Sequence, residues 1–213
     1  SIDTSWKPIY GEANSYDDVY EEMLVLFENT TVGEASFNLR IRAYDEGVAF
    51  RYEFNETKEL KISDELTEFS IPGDPTVWVS ERAQSDIMKK KLSGLSGVFD
   101  RPVLSEVNDS VFIALGEANL VDFARMKFAS ENSSEAVFRA ALSKDADDPI
   151  VIPAGEYSTP WRYIMIGETP SELLQNNHFV LNLNPENQIK DHSWIKPGKI
   201  IREVTLTTKG GYA

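Results

Sequence analysis

Between Ala35 and Phe54 the chain alternates with a period of two. Ala35, Phe37, Leu39, Ile41 and Ala43 are interleaved with Ser36, Asn38, Arg40 and Arg42. After Asp45-Glu46-Gly47 the pattern resumes as Val48, Phe50, Tyr52 and Phe54 against Ala49, Arg51 and Glu53. Successive side chains of a strand point to opposite faces, so this pattern predicts a hairpin with one face toward a core and the other toward water. Just before it, Met23-Leu-Val-Leu-Phe27 is a short apolar run bounded by polar residues, which predicts a buried strand.

Further along, Leu60 to Ile71 reads as strands, Ile71-Pro-Gly-Asp-Pro75 as a tight turn and Thr76-Val-Trp-Val79 as a short strand. Glu81 to Lys91 is polar and predicts a loop or one helical turn, and the glycine-rich Ser93 to Pro102 an exposed loop. Strand-like runs return at Val103-Leu104, Val111 to Leu115, Met126 to Phe128 and Ala136 to Phe138. Asp145 to Gly155 reads as a surface loop, Trp161 to Ile166 as a strand, Pro170 to Gln175 as a short helix with proline early, and Phe179 to Leu183 as the last strand. Many short strands with turns between them, and no alternation of strand and helix, predict a mainly β chain: a single large antiparallel sandwich.

Composition narrows what such a domain does. The 213 residues suit one β-domain, and 41% hydrophobic residues suffice for a core. A net charge of −14 would repel a phosphate backbone, which excludes nucleic acid as a partner and leaves calcium open. No cysteine is present for a disulfide or a thiolate metal site, and no apolar run approaches the roughly 20 residues of a membrane span. The start, Ser1-Ile-Asp-Thr, shows no basic and apolar leader, so export is not read from the residues.

Pro197-Gly198 is strong punctuation, and the strand-like Val204 to Thr208 after it has only five residues beyond it. This predicts a first domain over residues 1–195, with 196–213 as a linker and the beginning of a next domain of a longer protein. Ser193-Trp-Ile-Lys-Pro-Gly-Lys199, with Thr159-Pro-Trp-Arg162 and Leu181-Asn-Leu-Asn184 ahead of it, resembles the segment of glycoside hydrolase family 97 that leads from its amino-terminal β-domain into its catalytic barrel. Tyr44 to Tyr52 also resembles that domain. The resemblance implies a galactose-mutarotase-like β-super-sandwich as the non-catalytic amino-terminal domain of a calcium-dependent, exo-acting α-glucosidase or α-galactosidase. It implies a (β/α)8 barrel as the partner in the same chain, beginning within 196–213, an α-linked saccharide as substrate, and a periplasmic or secreted location. The alternative is a stand-alone carbohydrate-binding sandwich without hydrolase activity.

The residues offer little catalysis of their own. His178 and His192 are the two histidines, and without cysteine their spacing matches no zinc pattern. The sequence adjacency of Asp191 and His192 does not make a catalytic pair. Ser93-Gly-Leu-Ser-Gly97 lacks the lysine of a phosphate loop. No catalytic residue is therefore assigned to this chain, and the resemblance places the catalytic acid and base on the following barrel. Glu117, after an apolar run and a glycine in Leu115-Gly-Glu-Ala-Asn-Leu120, reads from its neighbours as a carboxylate at a strand end. Its Glu-Ala-x-Leu phrase resembles the place where family 97 members present a glutamate to an active-site calcium, which implies a metal ligand in a site completed by the barrel. Trp161 and Arg162 are candidate sugar contacts, an aromatic face for stacking and a guanidinium for hydroxyls.

Overall fold

The computed structural model describes residues 1–29, 36–131, 136–145 and 148–199. Through them the chain runs β1 (Ile2–Trp6), β2 (Tyr16–Phe27), β3 (Phe37–Tyr44), β4 (Gly47–Glu56), β5 (Leu60–Ile62), β6 (Glu68–Ser70), β7 (Thr76–Ser80) and β8 (Met88–Lys91). A 3-10 turn at Leu92–Gly94 leads into β9 (Gly97–Asn108), β10 (Val111–Ala118), β11 (Met126–Ser130), β12 (Val137–Leu142), β13 (Ile150–Ile152), β14 (Gly155–Ser158) and β15 (Trp161–Gly167). Two short helices follow, α1 (Pro170–Gln175) and α2 (His178–Asn182).

Thirteen strands form one antiparallel sheet along the path β1-β2-β3-β4-β15-β10-β9-β11-β12-β6, with β14 added to β4, β7 to β9 and β8 to β7, while β13 and β5 pair separately. The path folds over on itself at β9. Its first residues, Gly97 to Phe99, pair with β11, and Val103 to Glu106 pair with β10. Pro102, which has no N–H to donate, falls where β9 changes partners. The far end of the path returns over the near one, so that Phe69 of β6 lies 6.2 Å from Phe50 of β4, ring to ring. Between the layers Phe69, Val77, Phe99, Val103, Leu115, Met126, Phe128 and Phe138 make the main core. The expected sandwich is therefore present.

A second core lies on the opposite face of the first layer, where Phe112, Tyr163 and Met165 meet Leu173, Phe179 and Leu183. Helices of six and five residues cannot stand alone, and burial of these side chains fixes them. Thr169 caps α1 by accepting from the Glu172 amide at 3.2 Å. Gly47 enters β4 where an added Cβ would lie 2.2 Å from the Ile164 carbonyl oxygen, a closeness only glycine permits.

The hairpin forms as β3 and β4, and the helix at Pro170–Gln175 forms as expected; Ala35, the first residue of the alternating stretch, lies outside the described residues. Several expectations are corrected. Phe179 to Leu183 is helical, because Phe179 and Leu183 stand one turn apart and both drop onto the sheet, Phe179 edge-on to Tyr44 and Tyr163. Ser93 to Pro102 is not an exposed loop, since β9 starts inside it and Leu95 and Phe99 are buried. Asp145 to Gly155 contains β13, paired with β5, with Ile152 buried. Glu81 to Lys91 ends in β8, whose lysines hide a strand because they line a solvated edge.

Met23 to Phe27 is a strand but not a buried one, with Met23 55% and Phe27 45% exposed. β1 pairs with Tyr16 to Tyr20, so among the described residues the rest of β2 has β3 on one side and no strand on the other. Leu95 tests the revised outline. Leu95→Ala should lower unfolding stability by about 2–5 kcal/mol in urea denaturation, the cost of a cavity in a packed core. A loss below about 0.5 kcal/mol is the surface value and would return the segment to an exposed loop.

Candidate functional site

Glu117 and Arg162 are direct cross-strand partners on β10 and β15. Glu117 is not past the strand, as its neighbours suggested, but inside it, with its side chain 1% exposed. Gly116 lets the strands close here, because a Cβ at that position would lie 2.4 Å from the Tyr163 ring. Arg162 is wholly buried. Its Nε and Nη2 donate to the two oxygens of Glu65 at 2.9 and 2.5 Å, and its Nη1 donates to Glu117 Oε2 at 2.8 Å.

The other oxygen of Glu117 pairs with Arg101 Nε at 2.7 Å, and the Met126 amide donates to the same carboxylate at 3.1 Å. Beyond Arg101, Asp100 lies 3.6 Å from both Arg101 and Arg125, so charges alternate from the buried Glu65 out to a half-exposed Arg125. Glu65, Arg162, Glu117 and Arg101 together sum to zero formal charge. Burial pushes the Glu117 carboxyl above its ordinary range, while the Met126 amide and the Arg162 and Arg101 guanidiniums act to lower it.

Trp161, 1% exposed, points to the other face of the sheet. The guanidinium of Arg42 lies 4.8 Å from its ring centroid and that of Arg51 4.5 Å, so it is gripped between cations. Those arginines belong to a network in which Arg40 joins Glu22 and Glu53 at 2.5 and 2.6 Å, Arg42 joins Glu22 at 2.9 Å and Arg51 joins Glu53 at 2.6 Å. Burial opposes ionisation of Glu22 and Glu53, but hydrogen bonds from Arg42 and Arg40 to Glu22, and from Arg40 and Arg51 to Glu53, hold both carboxyls below their ordinary range.

The three candidate residues are thus brought close in the fold, but each is enclosed. Trp161 offers no open face to a sugar ring, and the Arg162 fork is spent on carboxylates. Glu65 and Arg101 were not singled out from the sequence. Glu65 lies in Asp64-Glu65-Leu66, where the acid is buried and Leu66 is 87% exposed, the reverse of the usual preference. Of the two histidines, His178 lies 2.9 Å from Glu46, while Asp191 accepts from the Ser193 amide and hydroxyl.

Calcium requires about six to eight oxygens. Around Glu117 the close groups are two guanidiniums and an amide, all donors. Among the described residues no three His, Cys, Asp or Glu side chains gather as a metal site. The described residues around Glu117 do not by themselves fit a calcium ion.

Two results are expected from this geometry. Arg162→Met should cost about 3–5 kcal/mol in urea denaturation, because Glu65 would be left buried without its cation and Glu117 would keep only Arg101. The Glu22 and Glu53 shifts set the sign of an acid effect. Their pairing stabilises the fold above the ordinary glutamate pKa of about 4.3 and is lost as pH falls through the lowered folded values. The urea midpoint should therefore fall on acidification, and less steeply in Glu53→Gln; equal slopes would remove that carboxylate from the pH dependence.

Comparison with known proteins places these features in context. The family model described as glycosyl-hydrolase 97 N-terminal matches residues 1–185. A solved family 97 enzyme from Pseudoalteromonas sp. strain K8, in complex with acarbose, superposes with a TM-score of 0.84 at 31% identity, over 92% of this chain and 31% of that one. A retaining alpha-galactosidase from Bacteroides thetaiotaomicron is 23% identical over 77% of this chain and 30% of its own length. A probable retaining alpha-galactosidase from Streptomyces bingchenggensis is 25% identical over 78% and 26%. The chain thus spans less than a third of the length of these relatives.

Proposed function

Because this chain belongs to the amino-terminal domain family of glycoside hydrolase family 97, we propose that it is the non-catalytic amino-terminal domain of an exo-acting α-glycoside hydrolase, packed on the catalytic domain of the same chain. The observation that carries this reading is the match to the amino-terminal model over residues 1–185, together with a span of under a third of the relatives' length. The enclosed arrangement of Trp161, Arg162 and Glu117 agrees with it, since a sugar-handling site needs side chains open to the ligand. The substrate class is an α-glucoside or α-galactoside, consistent with the names of the relatives. A periplasmic or secreted location belongs to the same proposal; among the described residues no helix is long and apolar enough to cross a membrane.

The resemblance supports a reading in which Glu117 reaches the reaction centre of the whole enzyme. Calcium there would have to take its oxygens from the catalytic domain, and Glu117 would join them only by giving up Arg101. Within this domain the role of Glu117 is to hold the two arginines and the start of β11.

The test compares this chain with the full-length enzyme on nitrophenyl α-glucoside and nitrophenyl α-galactoside. The full-length protein should turn over one or both and the chain alone neither; an inactive full-length protein, or turnover by the purified chain, would overturn the proposal. Thermal unfolding of the chain alone should be unchanged by excess calcium or by chelator. A calcium-dependent rise in its melting temperature would show an ion site that the arginines do not block.

A further inference from the structure

Among the described residues three groups meet the Glu117 carboxylate, and two of them are fixed. Arg162, wholly buried, gives Nη1 to Oε2 at 2.8 Å while Glu65 holds its Nε and Nη2. The Met126 amide belongs to the start of β11, and Met126 is itself buried. The third group is Arg101, whose Nε lies 2.7 Å from Oε1 and whose side chain is 22% exposed. The two oxygens are therefore unlike. Oε2 is committed to an arginine locked in the core, and Oε1 to one that borders water.

Arg101 also has a second acceptor beside it. Its own amide donates to Asp100 Oδ1 at 3.0 Å, which keeps that carboxylate close, and its Nη1 stands 3.6 Å from the same oxygen, beyond hydrogen-bond length. Asp100 is held as loosely by Arg125, again at 3.6 Å. A small rotation of the Arg101 guanidinium away from Oε1 would exchange one carboxylate for another.

We propose that Arg101 is an internal cation that closes Glu117 to metal ions, a step that rests on the reading in which Glu117 reaches the reaction centre. Glu65, Arg162 and Glu117 sum to −1 without Arg101 and to zero with it. The guanidinium fills the position at Oε1 where another cation would have to stand, and repels it. Glu117 can offer a hard dication such as calcium one oxygen, Oε1, and offers it only where Arg101 has moved off. A purely structural ion pair would act the other way: Arg101 would hold Glu117 in place, and its loss would weaken any ion site that includes Glu117. The two roles predict opposite signs.

Calorimetric titration of the metal-stripped full-length enzyme with calcium reads that sign. Arg101→Gln should tighten calcium binding severalfold, Arg101→Lys, which keeps the charge, should stay near wild type, and adding Glu117→Gln to Arg101→Gln should abolish the gain. Affinity equal to or below wild type in Arg101→Gln, with strand content by circular dichroism kept, would overturn the block while leaving intact the reading that Glu117 reaches an ion. Calcium bound only once Arg101 is replaced would support the block and overturn that reading for the wild type. A second readout needs no variant. In crystals of the wild-type enzyme grown with calcium, Arg101 should stand away from Oε1; an ion on Glu117 with Arg101 still in contact with that oxygen would overturn the proposal.

Discussion

A guanidinium without water must find an acceptor for its N–H groups inside the protein, and Arg162 imposes that condition on everything around it. Two of its nitrogens are matched by Glu65, which pulls the segment before β6 inward far enough to push Leu66 into solvent. A third is matched by Glu117, which must therefore stand opposite it on β10. Glu117 in turn receives the first amide of β11. One side chain on β15 thus ties the first layer to the beginning of the second and to the segment that crosses between them. The arrangement is valuable for position more than for stability, since desolvating four charges offsets much of what their attraction gains.

The same constraint explains what could be read from the sequence. Period-two alternation reports which residues share a face, and it located β3 and β4 because each obeys it over many residues. It does not report what lies against the face. Arg40 and Arg42 sit on the nominally watery side of β3, yet Glu22, Glu53 and Trp161 take them up, so that side is half-buried. Leu24 and Leu26 are apolar yet 43% and 63% exposed: they pair with β3, but β1 stops at Tyr20 and leaves this end of β2 uncovered among the described residues. In both places burial is decided by elements distant in sequence, and no local pattern encodes them.

Glu117 illustrates the limit at the site itself. Its neighbours read as those of a carboxylate at a strand end, whereas it lies within β10 and is buried, and Gly116 is the residue that lets the Tyr163 ring lie across the strand. The partners were not legible. Arg101 precedes a proline in a stretch that looks like a loop, and Glu65 lies in an acidic run that looks solvated. Resemblance to a family carried Glu117 into view as a functional residue, and the structure adds that its nearest neighbours are cations.

The closed polar cluster and the exposed apolar strand face differ in what each would ask of a partner. Glu65, Arg162, Glu117 and Arg101 already balance, so a dication approaching this end of the isolated domain meets Arg101 and Arg162 with no spare anion to offset them. An ion held here would need negative charge from outside this cluster. The apolar face has no such requirement, because hydrophobic burial is non-directional and needs no compensating group.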